Sequence, residues 1–184
     1  MDKDTITRAV RDIIKAIGEN PDRPGLKDTP KRVAEMYEEV LSGIGAAPEE
    51  KLKIYHTENQ DEMIVVKRIP FHSMCEHHLL PFFGHVSIAY IPNNNKITGF
   101  SSLIRVVESF ARRLQLQERM ATEIADFLVE KLAPLGVLVV IEAKQMCISM
   151  RGVRKEDSET ITSAMRGVMR KTATRMEAFA LLSK

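Results

Sequence analysis

Residues 72–82, HSMCEHHLLPF, concentrate thiol, imidazole and carboxylate groups in one short stretch. Within it, Cys75 and His78 form a C-x-x-H pair, a spacing that lets one tight turn present a sulfur and a ring nitrogen to a single ion. The adjacent His77 should point away from such an ion, which makes it a candidate for catalysis or substrate contact. These residue types therefore predict metal binding beside an imidazole that can exchange protons near neutral pH.

A third metal ligand has to come from elsewhere in the chain. The only other cysteine is Cys147, in a segment at 137–153 that is predicted to be a strand or a strand pair. Two cysteines and one histidine with an open fourth position are the ligand count of a catalytic zinc and not of a closed structural one, and iron also suits such donors. The alternative is a buried cysteine near surface histidines, because C-x-x-H is a short and common pattern.

The composition limits the class of protein. A chain of 184 residues suits one domain, or one domain with an appendage, and its two cysteines do not make a disulfide framework. The first residues, MDKDTITRAV, lack the apolar core of a signal peptide, and no apolar run approaches the ~20 residues of a membrane span. We therefore expect a cytoplasmic protein with no membrane partner. A net charge of +2 and the absence of tryptophan give no argument for nucleic-acid binding.

The hydrophobic pattern predicts the elements that position these residues. Amphipathic helices are predicted over 4–17 and from Thr29, as the N-cap, to Gly43. β-Branched residues predict two antiparallel strands, 62–69 and 84–91, with the cysteine- and histidine-rich stretch in the connection between them. The remaining predicted elements are helices at 100–114 and 117–136, strands at 137–153 and 159–168, and a closing helix at 174–182. This order predicts an α+β fold, an antiparallel sheet plus helices.

Three further groups of polar residues are weaker signals. Gln117 and Glu118 stand at a helix start, where capping or solvation is the usual explanation. Arg151, with basic neighbours, indicates either a solvated basic edge or an anion site. Arg32 is, on its own, a plain surface residue.

Taken together, these motifs resemble the GTP cyclohydrolase I family from about residue 5 to the C-terminus. The matching segments are DTPKRVAEMY, SMCEHHLLPFFGHVSIAYIP, GFSSLIRVV, RRLQLQERM, MCISMRGV and TITSAMRGV. The resemblance implies the T-fold (tunnelling fold), in which subunits pair their sheets into a barrel and stack as a ring, a homo-oligomer that is a decamer in this family. We expect an N-terminal helical segment over residues 1–50 and a T-fold catalytic domain over 51–184.

The resemblance also implies a reaction and a set of roles. The implied zinc ligands, at sites on subunit boundaries, are Cys75, His78 and Cys147. Zinc lowers the pKa of a bound water toward ~7, and the implied reaction opens the imidazole ring of GTP, releases formate and yields 7,8-dihydroneopterin triphosphate. His77 would shuttle protons, and Glu118, with Gln117 beside it, would grip the guanine edge. The residues implied to hold ribose and triphosphate are Ser101, Arg105, Arg151 and Arg32.

Three positions depart from the family pattern, and we expect all three to lie in the substrate pocket. Gln145 replaces a histidine that acts as acid and base, and an amide cannot exchange a proton near neutral pH. Ser102 replaces a lysine found in many members, and Glu35 replaces one found in some members at a less fixed position. Because of these changes, a divergent paralogue is an alternative: it would open the ring of another purine, either a nucleoside or a free base, or would stop at the ring-opened formamide. A non-catalytic ring protein that binds a purine or pterin is a further alternative, although it would have no need of an open metal site.

Overall fold

The computed structural model describes residues 1–183, which form two compact units. The smaller unit is Met1–Ser42, and the larger one begins at Gly43. Among residues 1–183, no helix is both long enough and apolar enough to cross a membrane.

The smaller unit contains two helices, α1 (Lys3–Ala16) and α2 (Thr29–Val40). Helix α1 begins where the side chain of Asp2 accepts a hydrogen bond from the Thr5 N–H, 3.0 Å away, which satisfies one of the free donors of the first turn. Helix α2 is shifted from the prediction, because Asp28 takes the N-cap position and Thr29 is already helical. It also ends before Gly43.

The larger unit is built on a five-stranded sheet. Its strands are β2 (Ile64–Cys75), β3 (Pro81–Ile91), β5 (Leu114–Gln115), β6 (Gly136–Gln145) and β7 (Thr160–Gly167). They lie in the order β5-β2-β3-β6-β7, and every neighbouring pair is antiparallel except β2 with β5. Two short strands, β1 (Ile54–His56) and β4 (Lys96–Thr98), form a separate antiparallel pair. The predicted antiparallel α+β architecture is therefore confirmed.

Helices cover both faces of this sheet. They are α3 (Phe100–Ala111), α4 (Gln117–Leu132), the single turn α5 (Met146–Ser149) and α6 (Thr172–Ser183). Helices α3 and α4 pack on one face and create the main core, whose fully buried side chains include Val86, Ile88, Leu103, Ile124, Leu128 and Ile141. A smaller cluster on the other face includes Ala178 of α6. Burial of these apolar side chains is the main term that fixes the helices against the sheet.

Strands β2 and β3 extend further than predicted, into the cysteine- and histidine-rich stretch. Phe71, Ser73 and Cys75 are all buried, so the inward alternation of β2 continues to its last residue. The connection is thereby reduced to a tight turn. Close packing of β3 on β6 depends on Gly84, because a Cβ atom there would lie 1.9 Å from the carbonyl oxygen of Glu142.

The prediction of strand structure around Cys147 was wrong. Strand β6 ends at Gln145, and the chain then makes the single helical turn α5, which contains Cys147. The side chain of Cys147 is consequently presented from a helical turn beyond the end of the strand, at the same end of the sheet as Cys75, since Phe82 of β3 pairs with Gln145.

Candidate active site

The turn after β2 is held closed by its own backbone. The Cys75 N–H donates to the Leu80 carbonyl oxygen at 2.8 Å, and the Leu79 N–H donates to the Cys75 carbonyl oxygen at 2.9 Å. Leu79 has a positive φ of 52°, the left-handed conformation that reverses the chain here. Within this turn Cys75 is buried and the two histidines are exposed.

Three side chains from three elements converge at this end of the sheet. Cys75 ends β2, His78 lies in the turn and Cys147 lies in α5, and their ligand atoms are all within 4.8 Å of one another. Two thiols and one imidazole are donors that bind zinc and related transition metals. The three residues named from the sequence are thus brought together in a cluster that fits a metal ion.

The environment of the cysteines affects their protonation. Burial raises the pKa of the Cys147 thiol, and the neighbouring Cys75 thiol raises it further. Because a metal binds the thiolate and not the thiol, metal binding at this cluster would release protons.

The two histidines of the turn face different directions. Their ring centroids are 6.2 Å apart with the ring planes at 90°, so His77 is exposed beside the cluster and not part of it. Arg151 donates a hydrogen bond from Nη1 to His78 Nε2 at 2.8 Å. A metal bound through Nε2 would use the lone pair that now accepts this hydrogen bond. The Arg151 guanidinium therefore lies close to the position that a bound metal would occupy.

A second set of polar contacts ties the turn to helix α4. The guanidinium of Arg119 donates through Nη2 to the Glu76 carboxylate, and its Nε donates to Gln115 Oε1 at 3.1 Å. Gln115 Nε2 in turn donates to Glu123 Oε2 at 2.8 Å, and the Gln115 carbonyl oxygen accepts from the Glu76 N–H at 3.1 Å. The hydrogen bond from Arg119 lowers the pKa of Glu76. Glu76 precedes His77, so this network fixes the turn against the first turns of α4.

The sequence prediction missed Arg119 as a functional candidate. A partial signal was available, because Arg119 and Glu123 are four residues apart in the predicted helix 117–136 and side chains at that spacing are neighbours. Nothing in the sequence shows that Glu76 would complete the network, since it lies on a different element.

Replacement of Arg119 by alanine should weaken metal binding by roughly tenfold. This is the lower end of the loss in metal affinity expected when a residue that orients metal ligands is removed. The turn would lose its link to α4, so His78 would be less well placed. Competition with a chromophoric chelator measures this affinity. Lys131→Ala removes an exposed ion pair with Glu130 at the far end of the same helix and serves as the control. Equal metal affinity in Arg119→Ala and the control would show that the network does not hold the turn.

The predicted substrate residues at the start of α4 differ in environment. Gln117 is only 3% exposed, and its amide nitrogen donates to the carbonyl oxygens of Ile141 and Thr160 at 3.0 and 2.8 Å. Its amide oxygen accepts from Gln145 Nε2 at 2.8 Å. Glu118, the next residue, is exposed in the first turn of α4. Of the pair, Glu118 is therefore the one that faces outward.

Helix α3 exposes Ser101 and Arg105 one turn apart, so the two side chains lie on the same face. Ser102 does not share that face. It is 2% exposed, and its hydroxyl accepts a hydrogen bond from the Lys53 N–H at 3.3 Å. The expectation that position 102 lines the pocket was therefore wrong for this chain, because its side chain is packed against the backbone before β1.

Arg32 lies on α2 in the smaller unit. Its side chain is exposed, with Nη2 3.8 Å from Asp28 Oδ2. On the same helix, Glu35 lies 3.9 Å from Lys31.

The larger unit is thus an α+β domain in which Cys75, His78 and Cys147 form a cluster that fits a metal ion, at one end of the sheet and next to the exposed imidazole of His77. This is an arrangement found in metal-dependent enzymes. The model of the GTP cyclohydrolase I family matches residues 6–183. The chain belongs to this family, which confirms the resemblance and the prediction of an enzyme.

The sequences of individual relatives match this chain over nearly its whole length. GTP cyclohydrolase 1 from Carboxydothermus hydrogenoformans is 61% identical over 183 residues, which cover 99% of this chain and 95% of that protein. GTP cyclohydrolase 1 from Bacillus subtilis is 54% identical over 173 residues, 94% of this chain and 91% of that protein. Among solved structures, the archaeosine synthase QueF-Like in the apo form superposes with a TM-score of 0.42 at 18% identity, over 57% of this chain and 93% of that one. The family assignment rests on the sequence matches alone.

Proposed function

We propose that this chain hydrolyses GTP to 7,8-dihydroneopterin triphosphate and formate. The observation that carries the proposal is the convergence of Cys75, His78 and Cys147 within 4.8 Å, in a chain that matches proteins named GTP cyclohydrolase 1 over its full length.

Zinc is the proposed metal, held by the two cysteines and His78. Two thiolates and one imidazole with a further position open are the ligands of a catalytic zinc site. When bound there, zinc supplies Lewis-acid activation of water near neutral pH.

His77 is the proposed proton carrier. Its imidazole is exposed next to the cluster, perpendicular to the ring of His78, and imidazole gains and loses protons near neutral pH. It would accept a proton as the purine carbon is attacked and return it to a ring nitrogen as the imidazole ring opens. Gln145 cannot take this role, because its amide does not titrate in this range.

The proposed substrate contacts come from α3, α4 and the segment after α5. The Glu118 carboxylate accepts from the ring N–H and the exocyclic amine of guanine, a pair of donors that adenine does not present on that edge. Ser101, Arg105 and Arg151 are the proposed contacts with ribose and triphosphate, and for Arg32, on α2, the same role is implied by the family resemblance alone. The shared exposed face of Ser101 and Arg105 and the contact of Arg151 with His78 support these assignments.

We also propose that residues 51–184 form the catalytic domain and that the protein is a cytoplasmic homo-oligomer, a decamer with its sites at subunit boundaries. Within residues 1–183, strand β7 lies at the edge of the sheet, and its Ile161 is 64% exposed. An edge strand with an exposed apolar side chain is suited to pairing with a second copy.

Incubation of the zinc-loaded protein with GTP, guanosine and ATP tests the function. We expect GTP alone to lose its imidazole absorbance, with formate and the dihydropterin product identified by mass spectrometry. Accumulation of a ring-opened formamide would show a reaction that stops early, and consumption of guanosine in preference to GTP would favour the divergent paralogue. Binding of GTP without any change in its mass would identify a non-catalytic binding protein.

A further inference from the structure

A chain of amide hydrogen bonds runs from the end of β6 to the start of α4. Gln145 Nε2 donates to Gln117 Oε1 at 2.8 Å, and Gln117 Nε2 donates to the carbonyl oxygens of Ile141 and Thr160. The orientation of the Gln117 amide is set by chemistry, because carbonyl oxygens only accept. Its nitrogen must face them, so its oxygen faces Gln145, which has to supply a donor.

These hydrogen bonds connect the segment that leads to Cys147 with the start of the helix that carries Glu118. Gln145 is two positions before Cys147, and Gln117 immediately precedes Glu118. Gln117 is 3% exposed and is the first residue of α4, so its side chain anchors the first helical turn to β6 and β7. The direction of the exposed Glu118 side chain follows from the placement of that turn.

We propose that Gln145 is a positioning residue that holds Gln117, and through it sets the direction of Glu118 relative to the Cys-His-Cys cluster. The inference rests on the proposed function, since it assigns to Glu118 the recognition of a guanine edge. The contribution of Gln145 is the N–H that it donates to Gln117. A side chain at position 145 that keeps an N–H donor should preserve the arrangement, and one that places an acceptor there should disrupt it.

The informative variant is Gln145→Glu, which has nearly the same shape but directs a carboxylate oxygen at Gln117 Oε1. Gln145→His keeps a donor and is the conservative variant, and Gln145→Met removes both donor and acceptor. The control is Lys144→Met, because Lys144 is exposed on the opposite face of β6. Zinc content of each protein separates effects on the metal site from effects on α4.

The decisive readout is discrimination between GTP and ITP, which lacks the exocyclic amine that Glu118 would bind. We expect Gln145→Glu and Gln145→Met to raise KM for GTP by roughly tenfold or more, the cost of leaving a buried group unpaired. Their preference for GTP over ITP should shrink, with zinc content unchanged. Gln145→His and Lys144→Met should keep the wild-type preference.

A double-variant cycle excludes a general loss of structure. In a Glu118→Gln background, Gln145→Glu should cause little further loss of GTP/ITP discrimination, because both changes act on one interaction. An undiminished preference for GTP in Gln145→Glu, or additive losses in the double variant, would overturn the positioning role while leaving the proposed function intact. Failure of the wild-type protein to bind GTP would instead overturn the proposed function, and with it this inference.

Discussion

The Cys147→Ala protein should retain less than about a hundredth of the wild-type metal affinity, because loss of a direct ligand exceeds the 10- to 100-fold effect of losing a residue that only orients one. Turnover of GTP should fall with it. Cys147 is one of three candidate ligands whose ligand atoms lie within 4.8 Å of one another, and the remaining two could not hold an ion as firmly. The measurement is metal content by mass spectrometry after equilibration with one equivalent of zinc and gel filtration.

A matched control for this experiment is Met150→Ala, because Met150 follows α5 and is 58% exposed. This protein should bind one zinc per chain and unfold at the wild-type temperature. Full zinc occupancy in Cys147→Ala would remove Cys147 from the ligand set and leave the C-x-x-H turn to bind the metal with some other partner.

Replacement of Glu118 by glutamine should lower kcat/KM for GTP about 100-fold, since a hydrogen bond to a charged group contributes roughly 1.5–3 kcal/mol. In the proposed role the carboxylate would present two acceptors to the guanine edge, whereas the amide would present one acceptor and one donor, so one contact would become donor against donor. Zinc content should not change, because Glu118 is not in the ligand cluster. Steady-state kinetics with GTP measure the effect.

The control is Glu130→Gln, which makes the same chemical change at an exposed position near the other end of α4. It should turn over GTP at the wild-type rate. Normal kinetics for Glu118→Gln as well would show that another residue recognises the base.

Local sequence patterns predicted much of the fold. They succeeded for features that depend on a single helix, strand or turn. The order of helices and strands followed from periodicity, and the C-x-x-H pair is close in space because it is close in sequence. The lengths of β2 and β3 were underestimated, because Ser73 and Cys75 continue the inward alternation with side chains that are not typical of a strand core. Their burial depends on the neighbouring strands.

The parts of the site that could not be predicted all involve contacts between elements. Gln145 and Gln117 are 28 residues apart and meet only because α4 packs on β6. The Glu76–Arg119 pair requires the turn after β2 to face α4. Ser102 stands where many family members have a lysine, but only the folded structure shows that its side chain is buried against the Lys53 backbone. A motif identifies such residues without showing what they contact.

The three candidate ligands differ in how much of the domain must fold before they can bind one ion together. Cys75 and His78 are in place as soon as β2 and its turn have formed, but Cys147 joins them only when β6 has paired with β3 along its whole length. The three candidate ligands therefore come together only after β3 and β6, which are separated in sequence by α3 and α4, have paired in the sheet. An ion that binds here closes that long loop, so metal occupancy reports on the tertiary structure of the domain, and the ion stabilises the assembled sheet at the expense of partly folded chains.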